Sequence, residues 1–202
     1  MIMLLTLADY GVGNMHSIAK ALERAGAMVA VASDPAKLLE AACIVFPGVG
    51  AFDKVMAGLA PVRGKLRAKL AGGTPCLAVC IGMQILYERS DEGSAEGLGL
   101  LPGRVEKLRH PRLPHMGWNA VEHGDDPIFA GAPPKTEFYF VHSYAPPAGA
   151  AKAIATTDYG APFASAVRTA NTVGFQFHPE KSSEAGQRLL RNFVEFAKTL
   201  VP

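Results

Sequence analysis

Short apolar runs alternate with stretches of helical spacing through the first part of the chain, and this alternation limits the fold more than any other feature. The apolar runs are residues 2–8, 28–32, 42–46 and 74–79. Each is too short for a buried helix and is closed by a turn, as in "DYGVGN" after the first and "PGVG" after the third. Between them, residues 15–25 carry Ile18, Leu22 and Ala25 at helical spacing, with Gly26 placed to end the helix. Residues 52–59 and 62–71 read as two further helices. Strand, helix, strand in this order predicts a mostly parallel sheet with helices on both faces.

The second half changes character. Gly, Pro and charged residues cut it into short pieces at 103–107, 137–141, 151–155, 163–168 and 172–177, which read as partly antiparallel strands. A final helix over 183–199 places Leu189, Phe193, Phe196 and Leu200 on one face and Arg188 and Arg191 off it. No repeat, low-complexity tract or long linker divides the 202 residues, so a single domain over 1–202 is expected.

Composition narrows the function classes. With 49% hydrophobic and 19% charged residues the chain is an ordinary globular one, and a formal charge of +2 gives no field suited to nucleic acid or a membrane surface. The basic run Lys107, Arg109, His110, Arg112, His115 contains prolines and is read as a solvated loop. The apolar start lacks a basic leader and meets Asp9 too early for a membrane span. Three cysteines are too few and too oddly numbered for a disulfide framework, which fits a reducing, cytoplasmic setting.

One of the three stands apart. Cys80 ends the run "TPCLAV" and sits in the frame Ala78-Val79-Cys80-Ile81-Gly82, with small residues at both second neighbours. A nucleophile held on a sharp strand-to-helix turn needs that, because larger side chains would strike the adjoining strand and helix. A helix beginning at once, with Gln84 inside it, would aim its free N–H groups at the sulfur, and the N–H of Ile81 would serve as an oxyanion donor. A small buried core thiol fits the same letters. Cys43 and Cys76, inside apolar runs, receive no role.

A thiol nucleophile needs a base, and the base an orienting group. "GFQFHPEKS" supplies both at the end of a predicted strand: His178 and Glu180, two residues apart, would face the same way in extended chain. Pro179 biases His178 toward that geometry. "FPGVGAF" offers a glycine-flanked loop whose N–H groups, Val49 among them, could complete an oxyanion hole. "DYGVGN" fails as a dinucleotide fingerprint, since the third glycine would fall at His16. Neither HExxH nor cysteine ligand spacing occurs, so no metal or other cofactor is expected.

Taken together, "PGVG", "CIGMQ" and "HPEK" resemble the triad, or class I, glutamine amidotransferases. "DYGVGN", "LPHMGWN" and "FVHSY", in the same order along the chain, resemble within that family the glutaminase subunits of imidazole glycerol phosphate synthase. Departures are small: Ile81 stands where leucine is commoner and Ala145 where an aromatic is frequent. The resemblance implies a flavodoxin-like α/β fold and a glutaminase in which Cys80 attacks the side-chain amide of L-glutamine to give a glutamyl thioester, His178 moves the protons and Glu180 orients it. It implies Val49 and Ile81 as oxyanion donors, and Gly50, Gln84, His142, Ser143 and Tyr144 as glutamine-binding residues. It also implies that Asn14, Trp118, Tyr139 and Lys181 meet a (β/α)8-barrel cyclase subunit in a heterodimer.

The partner follows from chemistry as well. Ammonia in neutral water is mostly ammonium, which is no nucleophile, and no synthetase segment is expected in this chain. The acceptor would be the cyclase, which by the resemblance converts PRFAR to imidazole glycerol phosphate and AICAR in histidine biosynthesis. Three other readings are weighed against it: a glutaminase serving another synthase, a non-catalytic scaffold, and a thiol hydrolase of peptides or esters. The last would leave Gln84 and "HSY" without a task.

Overall fold

A computed structural model describes residues 2–11 and 15–201. β1 (Met3–Ala8), α1 (His16–Arg24), β2 (Ala27–Ala32), β3 (Ile44–Phe46), α2 (Phe52–Leu59), α3 (Arg63–Ala71) and β4 (Cys76–Val79) follow the predicted alternation closely. β1 pairs with β2 and β3, and β3 with β4, all in parallel. The period of two along a strand sorts their side chains between two layers. Val45, Leu77 and Val79 pack with Ile18 and Leu22 of α1, whereas Ile44, Phe46, Cys76 and Ala78 pack with Val55 of α2 and Leu66 of α3. Each fully buried Leu, Val or Phe contributes about 1.5–3 kcal/mol relative to an exposed one.

The chain continues through α4 (Ile81–Gln84), β5 (Tyr87–Ser90), β6 (Leu101–Lys107), β7 (His115–His123), β8 (Thr136–His142), β9 (Tyr144–Ala145), β10 (Ala153–Asp158), β11 (Pro162–Thr169), β12 (Thr172–Phe175) and α5 (Ser183–Lys198). The main sheet has the order β2-β1-β3-β4-β12-β11-β10-β7-β8, and β5-β6-β9 form a small second sheet. β12 is the hinge of the architecture. It runs parallel to β4, with Phe175 opposite Val79, and antiparallel to β11, from which the other antiparallel strands extend. The carboxyl ends of β4 and β12 therefore lie side by side, where open parallel sheets place their reactive groups. Leu189, Leu190 and Phe193 of α5 pack in the same layer as α1.

Several sequence expectations are corrected. The helix after Cys80 is one turn of four residues, and Gln84 is its last; the chain then enters β5. β12 stops at Phe175 rather than at residue 177, and β10 begins at Ala153 rather than at 151. His115 belongs to β7 and is 3% exposed, so it is no part of a solvated loop. β7 escaped notice because little of it is apolar and inward-facing: among its nine residues only His115 and Val121 are buried, and the strand is held by its ladder to β8. Leu200 lies beyond α5 and is exposed. No helix among the described residues is long and apolar enough to cross a membrane.

Candidate active site

Cys80 leaves β4 with its N–H donating to the Phe175 carbonyl at 2.6 Å, and then turns sharply, at φ 50° and ψ −110°. A non-glycine residue held there costs about 1–3 kcal/mol, which the strands on either side must offset. The small second neighbours have their reason in contacts. Ala78 is fully buried, and a Cβ on Gly82 would strike the Phe46 carbonyl oxygen of β3. α4 is a single turn of four residues, so the elbow has no long helix dipole behind it, and the first-turn N–H of Ile81 has no acceptor within the helix.

Beside it, at the end of β12, His178 Nδ1 lies 2.7 Å from Glu180 Oε1, and both side chains are buried. His178 has the extended backbone that Pro179 was expected to impose (φ −102°, ψ 94°), but the chain then enters a 3-10 turn at Pro179–Lys181, and it is this turn that brings Glu180 to the ring. The backbone of His178 is clamped: its N–H donates to the Tyr139 carbonyl at 2.8 Å, and its carbonyl accepts from Ser182 Oγ at 2.6 Å. With Nδ1–H given to the carboxylate, Nε2 is the ring's free position, and it has no hydrogen-bond partner among the described residues. Burial works against the imidazolium, but the Cys80 sulfur and then the Glu180 carboxylate outweigh it and push His178 up to about 10. The sulfur beside the ring thus favours the imidazolium over the neutral imidazole.

Two further elements close on the sulfur. The Cys80 thiol donates to the Val141 carbonyl of β8 at 3.9 Å, and Gln176 Nε2 donates to Sγ at 3.6 Å. The "PGVG" loop arrives through Gly48: a Cβ there would lie 2.6 Å from His178 Cε1 and 3.1 Å from Cys80 Cβ. Val49 is partly buried against the α2 and α3 layer, and Gly50 follows at φ 104°, a conformation glycine adopts without strain. The other two thiols differ in kind. Burial pushes Cys43 up to about 12 and Cys76 well above the ordinary thiol range, so both stay protonated.

The residues expected to hold glutamine gather on the same side. Gln84 is buried, and its Nε2 donates to the Tyr144 carbonyl at 2.8 Å and to Gln176 Oε1 at 3.1 Å. The Tyr144 carbonyl also accepts from His142 Nδ1 at 2.9 Å. Ser143 lies between them and its carbonyl accepts from the Leu108 N–H. Of the expected partner-facing residues, Trp118 is 49% exposed and sits opposite Tyr139 across the β7–β8 ladder. Lys181 Nζ lies 5.9 Å from the Tyr139 ring centroid. Asn14 falls outside the described residues. Met116, on the same face as Trp118, is 61% exposed and extends the patch.

Sequence reasoning missed Gln176, Gly48 and His115. Gln176 left a signal, as the lone polar side chain in "VGFQF". Gly48 was hidden among the glycines of its loop, and His115 within the basic run that was read as a solvated loop.

A strained thiol turn, a clamped His–Glu pair and a glycine loop close to both thus meet at the carboxyl ends of β4 and β12. The model of the glutamine amidotransferase class-I family matches residues 6–196, and the chain belongs to that family. It is 49% identical to the imidazole glycerol phosphate synthase subunit HisH of Nocardia farcinica, over 94% of this chain and 96% of that one. To the same subunit of Aromatoleum aromaticum it is 45% identical, over 95% and 97%. Within the class, therefore, it is a member of the HisH family. Among solved structures, a glutamine amidotransferase at 18% identity superposes with a TM-score of 0.75 over 96% of this chain and 98% of that one, a likeness of fold.

Proposed function

We propose that this chain is the glutaminase of a two-subunit imidazole glycerol phosphate synthase. Cys80 attacks the side-chain amide carbon of L-glutamine, forming a C–S bond while the carbonyl oxygen takes up the electron pair. The N–H groups of Ile81 and Val49 receive that oxygen. His178, oriented by Glu180, passes a proton from Nε2 to the leaving nitrogen, and ammonia departs. His178 then takes a proton from water as water attacks the glutamyl thioester, releasing glutamate and restoring the thiolate. Gln84, Gly50 and the segment His142, Ser143, Tyr144 hold the α-amino and α-carboxylate ends of the substrate.

The observation that carries the reading is the His178–Glu180 contact at 2.7 Å beside a cysteine held at positive φ. A core cysteine has no need of such a turn. The acceptor of the ammonia is the cyclase subunit, a (β/α)8 barrel, docked over Trp118, Tyr139 and Lys181 in a heterodimer. What supports this placement is β8 itself. Its Tyr139 carbonyl holds the His178 N–H and its Val141 carbonyl faces Cys80, while the Tyr139 side chain lies in the exposed patch. Cys80→Ala in the complex tests the reading: glutamine-dependent synthesis is lost, and synthesis from free ammonia continues. Retained glutamine hydrolysis by the alanine variant would overturn it.

A further inference from the structure

Gln176 is fully buried and lies two residues before His178, and its amide bridges two neighbours. Its orientation is forced by theirs. Gln84 contacts the Tyr144 carbonyl, which can only accept, so that end of Gln84 must be its NH2 group. The same NH2 reaches Gln176 at 3.1 Å, so Gln176 must present its oxygen there. Its own NH2 is left facing the Cys80 sulfur at 3.6 Å. A buried amide donor spent on a thiol makes a weak contact, and on a thiolate a charge-assisted one.

We propose that Gln176 is a catalytic residue that holds the Cys80 sulfur in its thiolate form through an Nε2–H···S hydrogen bond. This rests on Cys80 being the nucleophile. The bond acts twice. Before attack it keeps the sulfur ionised and aimed while His178 carries the proton. In hydrolysis of the thioester, water's oxygen bonds to the acyl carbon, the C–S bond breaks and its electron pair returns to sulfur, where Gln176 again receives the charge. Gln84, which locks the amide in place, thereby couples the glutamine pocket to the state of the thiol.

The test is the pH dependence of Cys80 alkylation by iodoacetamide in the full chain, read on the Cys80 peptide by mass spectrometry. Cys43 and Cys76, wholly buried and held protonated by that burial, serve as internal controls. The titratable group facing the sulfur is His178, with Glu180 behind it; His142 on β8 acts on His178, and Lys181 on the same turn as Glu180 is exposed. None of them is altered in Gln176→Met or Gln176→Leu. The expected result is an alkylation midpoint higher by about one pH unit or more in either variant. A folded variant with the wild-type midpoint overturns the proposal. Should neither variant fold, the unmutated protein decides. The 15N-labelled side-chain amide of Gln176 is expected to titrate with the Cys80 midpoint, and an amide indifferent to the thiol overturns the proposal. Failure of the nucleophile itself is read separately, as glutamine hydrolysis surviving Cys80→Ala.

Discussion

His115 donates from Nδ1 to Nε2 of His142 across 3.1 Å, one buried imidazole to another. The direction follows from the ends of the chain. His142 gives its Nδ1–H to the Tyr144 carbonyl at 2.9 Å, so its Nε2 must accept. His115 therefore donates from Nδ1 and accepts at Nε2 from Asn119 Nδ2, at 3.2 Å. Every ring nitrogen is used and both rings must be neutral. This chain of rings ends on the Tyr144 carbonyl that Gln84 also uses, and so helps to fix that carbonyl.

Replacing His115 by Phe keeps a ring stacked on Phe140 and Tyr159 but leaves His142 Nε2 buried and unpaired. The expected cost is about 1–3 kcal/mol of unfolding free energy, measured by urea denaturation at pH 7. A loss below about 0.5 kcal/mol would mean that the imidazole chain contributes nothing.

The same pair sets an acid limit. Burial first, and then the charge of His110, holds His115 down to about 4; burial, with His115 and His178 adding to it, holds His142 down to about 3. The unfolded chain binds protons at both near pH 6.5 while the folded one does not, so stability rises with pH across this window and is lost as pH falls through it. Urea midpoints between pH 7 and pH 4 are expected to fall less steeply in His115→Phe than in the unmutated protein. Parallel pH profiles would contradict the assignment.

His178 has the opposite sign. Its folded value, raised to about 10, makes its contribution full below the unfolded value and lost as pH rises toward 10. Removing the sulfur in Cys80→Ala leaves Glu180 alone against burial. The His178 midpoint, followed by NMR of the imidazole Cε1–H, is expected to drop by more than about one pH unit. An unmoved midpoint would show that the thiol and imidazole are not electrostatically paired.

Gly48→Ala asks whether the loop must press on the dyad. The glycine has no positive φ, so alanine strains no backbone there; its methyl group meets the His178 ring instead. Displacing the ring by even part of an ångström is expected to lower glutamine hydrolysis about 100-fold while ammonia-dependent synthesis by the complex persists. Wild-type hydrolysis would place the working geometry elsewhere.

The parallel half of the fold was legible because its strands are buried on both faces and its helices carry an apolar stripe, so periodicity reports burial directly. β7 was not, because Met116 and Trp118 face outward and His115 inward, which inverts the usual pattern. The Cys80 turn and the His178–Glu180 contact were legible because each carries a local signature. Gln176 and Gly48 act through contacts made only when β4, β12 and the "PGVG" loop converge, and the spacing of residues in the sequence does not report that convergence.

The most direct measurement is glutamate release from L-glutamine by the purified chain, alone and with the cyclase subunit bound to its nucleotide substrate. Hydrolysis that is slow alone, rises strongly with the loaded partner and vanishes in Cys80→Ala is the predicted result. Glutamate release that ignores the partner would contradict the assignment to this synthase, and none under either condition would contradict the glutaminase itself.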